Sequence, residues 1–125
     1  MGLQIRIVKN LMDLANLDIL IATETGLSSQ AQLDSIKRHM GPRYDVYGTW
    51  GPDTLADIST HYTGVTAFIK KDPIDETQSN LLNWDINARW LTLEIIRRNQ
   101  PTTYIMGTYL QSYHTIYQDN PPWMQ

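Results

Sequence analysis

The chain has 125 residues, 42% of them hydrophobic and 18% charged, the profile of one globular domain rather than two, and far from the low-hydrophobicity class that stays disordered. A formal net charge of −3 gives the whole molecule no field that attracts polyanions, so nucleic acid contact would rest on local clusters such as Lys70-Lys71 or Arg97-Arg98. The absence of cysteine excludes disulfides, thiolate metal sites and cysteine nucleophiles, leaving oxygen or imidazole as the ligands of any metal.

No apolar run approaches the ~18 to 20 residues that span a bilayer. Arg6, Lys9 and Asp13 interrupt the stretch in which a signal peptide would be uniformly apolar. The expectation is an intracellular protein without a membrane partner.

Leu3, Ile7, Leu11 and Leu14 recur at helical spacing, flanked by Val8, Met12 and Ala15, which predicts an amphipathic helix over Leu3 to Asn16. The alternation of Gln4-Ile5-Arg6-Ile7 also permits a short strand. Asp18 to Thr23 is a short apolar run of the buried-strand type, ending on Glu24. Ser28 and Ser29 are candidate N-caps for a second helix carrying Ala31, Leu33, Ile36 and Met40, stopped by Gly41-Pro42.

Tyr44 to Gly48 alternates like a strand, and Gly51 to Thr60 reads as a surface loop. Gly64 to Ile69 is apolar and β-branched, Lys70 to Asn80 is polar and turn-forming, and Trp90 to Ile96 alternates with period two. After a turn at Gln100-Pro101-Thr102, Tyr104 to Leu110 gives a further strand. A helix and a strand followed by such a run of strands imply an α+β or layered sandwich.

Glu24 stands out chemically, because a carboxylate ending a buried strand is costly unless it reaches solvent, pairs, or binds a metal. The string Asp18-Ile19-Leu20-Ile21-Ala22-Thr23-Glu24-Thr25 resembles the D-I-L-x-L-Q-E-T strand of the endonuclease/exonuclease/phosphatase family. Three further strings follow in that family's order. His61 to Phe68 is similar to its G-Y-S-G-V-A-I-L strand, Asn87 to Glu94 to its G-R-x-L-x-L-E strand, and Ile105 to Ser112 to its I-N-V-Y-A-P-S strand.

The resemblance covers Gly2 to Ser112 and implies a partial four-layer α/β sandwich of the DNase I-like kind, occupying residues 1–125 as one partial domain. It implies that Glu24 is a ligand of a catalytic magnesium or manganese ion and that Tyr109 lies near the scissile phosphate. The departures matter too. Thr23 replaces the family's Gln, Gly107 stands where Asn is common, and Gln111 replaces a Pro.

Gly2-Leu3 looks like the end of the W-N-V-x-G-L segment, so the first strand and its metal-binding Asn are expected to be lacking. The C-terminal half, with the D-x-N and S-D-H segments and the general base, is expected to be lacking as well. Asp85-Ile86-Asn87 spells D-x-N, but it precedes Arg89 rather than following the Tyr strand, and an Asx-type turn explains it better.

His39, His61 and His114 have no partner at ligand or relay spacing. Arg89 is expected to pair with Glu94 or Asp85, and Tyr62, Trp84, Trp90, Tyr104 and Tyr109 form an aromatic set suited to core, sheet surface or base stacking. The resulting expectation is a piece of a magnesium-dependent endonuclease, of the kind mobile elements encode, with nucleic acid as substrate and no turnover alone. The alternative is a non-catalytic interaction or remnant domain that self-associates through an exposed sheet edge.

Overall fold

The computed structural model describes residues 4–51 and 64–109. The loop expected at Gly51 to Thr60, and His61, Tyr62 and His114, fall wholly or almost wholly outside them.

Two helices and two three-stranded antiparallel sheets make a mixed α+β fold, as the strand count implied. The order is α1 (Ile5–Leu14), β1 (Ile19–Thr23), α2 (Gln30–Met40), β2 (Tyr44–Gly48), β3 (Val65–Lys70), β4 (Gln78–Trp84), β5 (Trp90–Ile96) and β6 (Thr103–Thr108). One sheet runs β1-β3-β2 and the other β4-β5-β6, so β3 and β5 are the central strands. Among the described residues no helix is long and apolar enough to cross a membrane.

Alternation along β3 assigns the layers. Val65, Ala67 and Ile69 point into one cluster with Leu91, Leu93 and Ile95 of β5, whereas Phe68 points into another with Val8, Met12, Leu33, Ile36 and Met40 of the helices. Helices, first sheet and second sheet therefore stack in three layers. Every residue from Val65 to Ile69 is buried, which explains the continuous apolar reading of this strand.

α2 starts where Ser29 caps it, its hydroxyl accepting from the Gln32 N–H at 3.2 Å, and stops at Gly41, whose φ of +87° suits glycine. α1 is shorter than the periodicity implied, and its orientation corrects the sequence reading. Val8 and Met12 are buried and Ile5 packs beside them, while Ile7, Leu11 and Leu14, the expected inner face, are exposed, Leu14 at 88%. The apolar residues fill one broad arc opposite Arg6, Lys9, Asn10 and Asp13, so periodicity could not say which part of that arc would be buried. The Tyr44 hydroxyl donates to Asp13 at 2.6 Å, and that bond fixes the rotation of α1 against the sheet.

The second correction is β4. Gln78 to Asn80 was expected to belong to a turn, yet it pairs with Ile96 to Glu94 of β5. As an edge strand largely open to solvent, it tolerates Gln, Ser and Asn, which strands otherwise disfavour, and so shows no apolar signature. A register shift between Leu81 and Asn83 further breaks its alternation.

Burial, followed by the hydrogen bond to Asp13, raises the Tyr44 hydroxyl from 10.0 to about 12. The folded state thus favours the neutral phenol. Its contribution to stability is complete below pH 10 and is lost as pH rises from 10 towards 12. Denaturant melts of a Tyr44→Phe variant should show a loss of about 1 kcal/mol at pH 7, and a shallower alkaline fall than the parent chain over that window.

Candidate functional site

β1 carries Ile19 and Ile21 towards the second sheet and Leu20 and Ala22 towards the helices. Strict alternation would place Glu24 on the helix side. Instead Glu24 adopts a φ of +56°, a left-handed conformation that costs a residue with a side chain about 1 to 2 kcal/mol. The alternation breaks there. The hydroxyl of Tyr109, a residue of the opposite sheet, lies near enough to the Glu24 carboxylate to feel its charge.

Tyr109 reaches this position because β6 continues past its last regular pair, the Tyr109 N–H donating to the Arg89 carbonyl at 2.6 Å. Ile105, Gly107 and Tyr109 share the face of β6 that looks at the first sheet. The Tyr109 ring packs on the inter-sheet core with Ile105, and Gly107 between them is buried. A Cβ at position 107 would lie 2.8 Å from Ile21 Cγ2 and 3.2 Å from Val65 Cγ1. Glycine at this position is therefore a packing requirement of β1 against β6, which accounts for the absence of the Asn common in the resembling strand.

A second glycine shapes the floor of the site. Gly64, with φ of +111°, lies against Thr25, so that a Cβ there would approach Thr25 Oγ1 to 2.7 Å and the Thr49 carbonyl to 3.3 Å. Thr25 is buried, and its hydroxyl has no partner among the described residues. The resulting corner sets an exposed carboxylate beside a phenol and near a buried hydroxyl that is unpartnered among the described residues. Burial first, and then the nearness of Glu24, raise the Tyr109 hydroxyl above its ordinary value.

Among the described residues no group of three His, Asp or Glu side chains could enclose a metal. The donors at the corner are all oxygen, the class that suits a hard cation which keeps most of its waters and takes one or two carboxylates. Glu24 is one such ligand, and a lone carboxylate holds a hydrated cation only weakly without further ligands. The two site residues singled out from sequence are brought together.

The other sequence candidates are placed elsewhere. Asp85 accepts the Arg89 N–H on Oδ2 at 3.2 Å and the Ala88 N–H on its carbonyl at 2.9 Å, so the D-x-N string is a capped turn entering β5. Arg89 forms no ion pair with Asp85 or Glu94, contrary to expectation. Glu94 accepts instead from Asn80 Nδ2 at 3.1 Å, an acceptance possible only because the unforeseen β4 lies alongside. The His39 ring meets the Ser35 carbonyl at 2.8 Å, a local contact on the surface of α2.

Sequence reasoning missed the opposite edge of the sandwich. There the Tyr47 hydroxyl donates to the Ser79 carbonyl at 2.9 Å, Ser79 Oγ donates to Asp45 at 2.5 Å, and Asp45 pairs with Lys71 at 3.1 Å. This clasp joins β2 to β4. Above it, at the same end of the sandwich as Glu24, a pocket of about 550 Å³ opens between the sheets. Trp84 belonged to the expected aromatic set, whereas nothing in the sequence joined it to Trp50.

Comparison with family models, with curated proteins and with solved structures found no match to this chain.

Two outcomes test the corner. Gly107→Asn should destabilise the fold by about 1 to 3 kcal/mol through overpacking, and a Gly107→Asn, Ile21→Ala double variant should cost less than the sum of the singles, because the two sites touch. Spectrophotometric titration should show one tyrosine pKa falling in Glu24→Gln while staying above the ordinary value, since burial is the larger cause. That change should be missing when Tyr109 is already Phe.

Proposed function

We propose that this chain carries the metal-carboxylate corner of a divalent-cation-dependent phosphodiesterase of the endonuclease/exonuclease/phosphatase kind, with Glu24 as metal ligand and Tyr109 as the residue that orients it beside the scissile phosphate. The observation that supports the reading is the approach of Tyr109, from the second sheet, to Glu24. These are the two residues to which the family resemblance points. Their meeting across two sheets, at a strained backbone position, is the kind of local cost that functional sites retain.

The finer architecture in this proposal is part of a DNase I-like four-layer sandwich, in which the three layers of helices, first sheet and second sheet form one portion. Magnesium or manganese bound at Glu24 would polarise a phosphoryl oxygen and stabilise the leaving oxyanion. Tyr109 stands beside the carboxylate and would present its hydroxyl to the same space. Among the described residues no group of three His, Asp or Glu side chains completes a metal and base set at Glu24. Since a general base contributes ~10²- to 10⁴-fold in rate, the chain alone is expected to turn over negligibly.

β1 and β6 are edge strands among the described residues, which favours a second reading, a non-catalytic interaction domain that pairs through such edges. Metal binding separates the two. Terbium, a hard trivalent probe excited through nearby aromatics, should luminesce with the parent chain, be displaced by millimolar Mg²⁺, and lose the signal in Glu24→Gln. A plasmid-nicking assay with Mg²⁺ should show at most a trace of cleavage, absent from Glu24→Gln. Equal terbium signals from the parent chain and the variant would remove the metal role and leave the interaction reading.

A further inference from the structure

The pocket between β2 and β4 has a lining unlike the corner at Glu24. Trp50 follows β2 and Trp84 ends β4, so two indoles from different sheets bound the same cavity, with Tyr47 nearby. Trp84 is 55% exposed and the adjoining Ile86 75%, a large apolar display for a solvent-facing rim. α2 contributes Gln30, Leu33 and Lys37, at i, i+3 and i+7 on one face. Asp85 closes the opposite side.

The capped turn uses only one carboxylate oxygen of Asp85 in a described bond. The other oxygen has no described donor, and Asp85 is among the residues that line the pocket. Gln30 hydrogen-bonds through its nitrogen to Asp34 at 2.9 Å, and its carbonyl oxygen has no described donor. Lys37 makes no ion pair among the described residues. The cavity thus offers indole faces, two hydrogen-bond acceptors and one cation.

We propose that this pocket binds a single unpaired nucleobase of a single-stranded nucleic acid, the ring against Trp84 and Trp50, amino groups of the base towards Asp85 and Gln30, and the neighbouring phosphate on Lys37. The volume of about 550 Å³ lies within the range of small-molecule sites, ~300 to 1,000 Å³. Stacking on an aromatic side chain is worth ~1 to 3 kcal/mol per base and needs no cationic surface. A base-led mode is thereby compatible with a net charge of −3.

The proposal rests on the phosphodiesterase reading only for its link to catalysis. β1 and β2 flank β3, so two strand spacings, roughly 10 Å, separate the Glu24 corner from the pocket. That span reaches from a scissile phosphate to a base a nucleotide or two away, since extended chains of nucleotides repeat on a similar scale. It narrows the substrate class to a strand that can present an unpaired base.

The test is a tryptophan fluorescence titration of the full chain with a six-nucleotide single-stranded DNA, the same strand annealed to its complement, and inorganic phosphate as control. The single strand should quench fluorescence, and the duplex should bind at least tenfold more weakly. Trp84→Ala should weaken binding by ~5- to 150-fold, the equivalent of one stacked base, while Trp84→Phe recovers most of it. Lys37→Gln should abolish a shallow salt dependence, with log K falling by about 0.7 per decade of salt when one phosphate is held.

An absence of quenching, equal affinity for duplex and single strand, or unchanged affinity in Trp84→Ala would overturn the proposal. So would a steep salt dependence, which would mark a charged surface elsewhere. If the oligonucleotide binds as described and terbium does not respond to Glu24→Gln, only the metal reading fails. The reverse result removes the base pocket alone.

Discussion

The structure depends on β3 being buried on both faces. A strand with helices on one side and a sheet on the other can expose no residue, and Val65 to Ile69 shows none. Burying Phe68 against α1 and α2 and Val65, Ala67 and Ile69 against β5 removes enough apolar surface to order both neighbouring layers, at about 25 cal/mol per Å². β1 and β2 then pair to its two edges in antiparallel register. Their C-terminal ends emerge at the end where β3 begins, and both the Glu24 corner and the aromatic pocket are built there.

That arrangement explains why packing and chemistry meet at β1. Its inward residue Ile21 occupies the space left by Gly107, which draws β6 close enough for Tyr109 to reach across the sheets. A side chain at 107 would push the edges apart at the point where the phenol meets the carboxylate. The left-handed turn at Glu24 does the complementary work, taking the carboxylate off the helix side to which alternation would send it. Buried Thr25, wedged under Gly64, anchors the chain immediately afterwards.

Much of the fold was legible because the local signals agreed with the tertiary outcome. Ser29 and Gly41 bounded α2 through capping chemistry, and β1, β2, β3, β5 and β6 carried apolar or alternating runs that burial then used. β4 was illegible, since an edge strand bearing Gln78, Asn80 and Asn83 is held by the ladder to β5 rather than by its own apolar face. α1 was legible as a helix but not in its rotation. One broad apolar arc leaves several rotations open, and the contact made in the one adopted, Tyr44 to Asp13, spans residues whose proximity no local pattern encodes.

The candidate corner was legible in its members and not in its cause. Motif likeness pointed to Glu24 and Tyr109, but the backbone reversal at Glu24 and the Ile21 to Gly107 approach exist only once the two sheets are stacked. The same reasoning separates the two ends of the sandwich rim. At β1 and β6 the sheets close tightly on a glycine, and a carboxylate and a phenol stand at the rim. At β2 and β4 the clasp of Tyr47, Ser79, Asp45 and Lys71 holds the sheets apart below, and the gap above it is lined by large indoles instead of being filled. A rim tight at one side and open at the other suits an extended ligand gripped by charge at one point and by stacking at the next, because the two attractions act on different parts of one chain and neither requires the molecule as a whole to be basic.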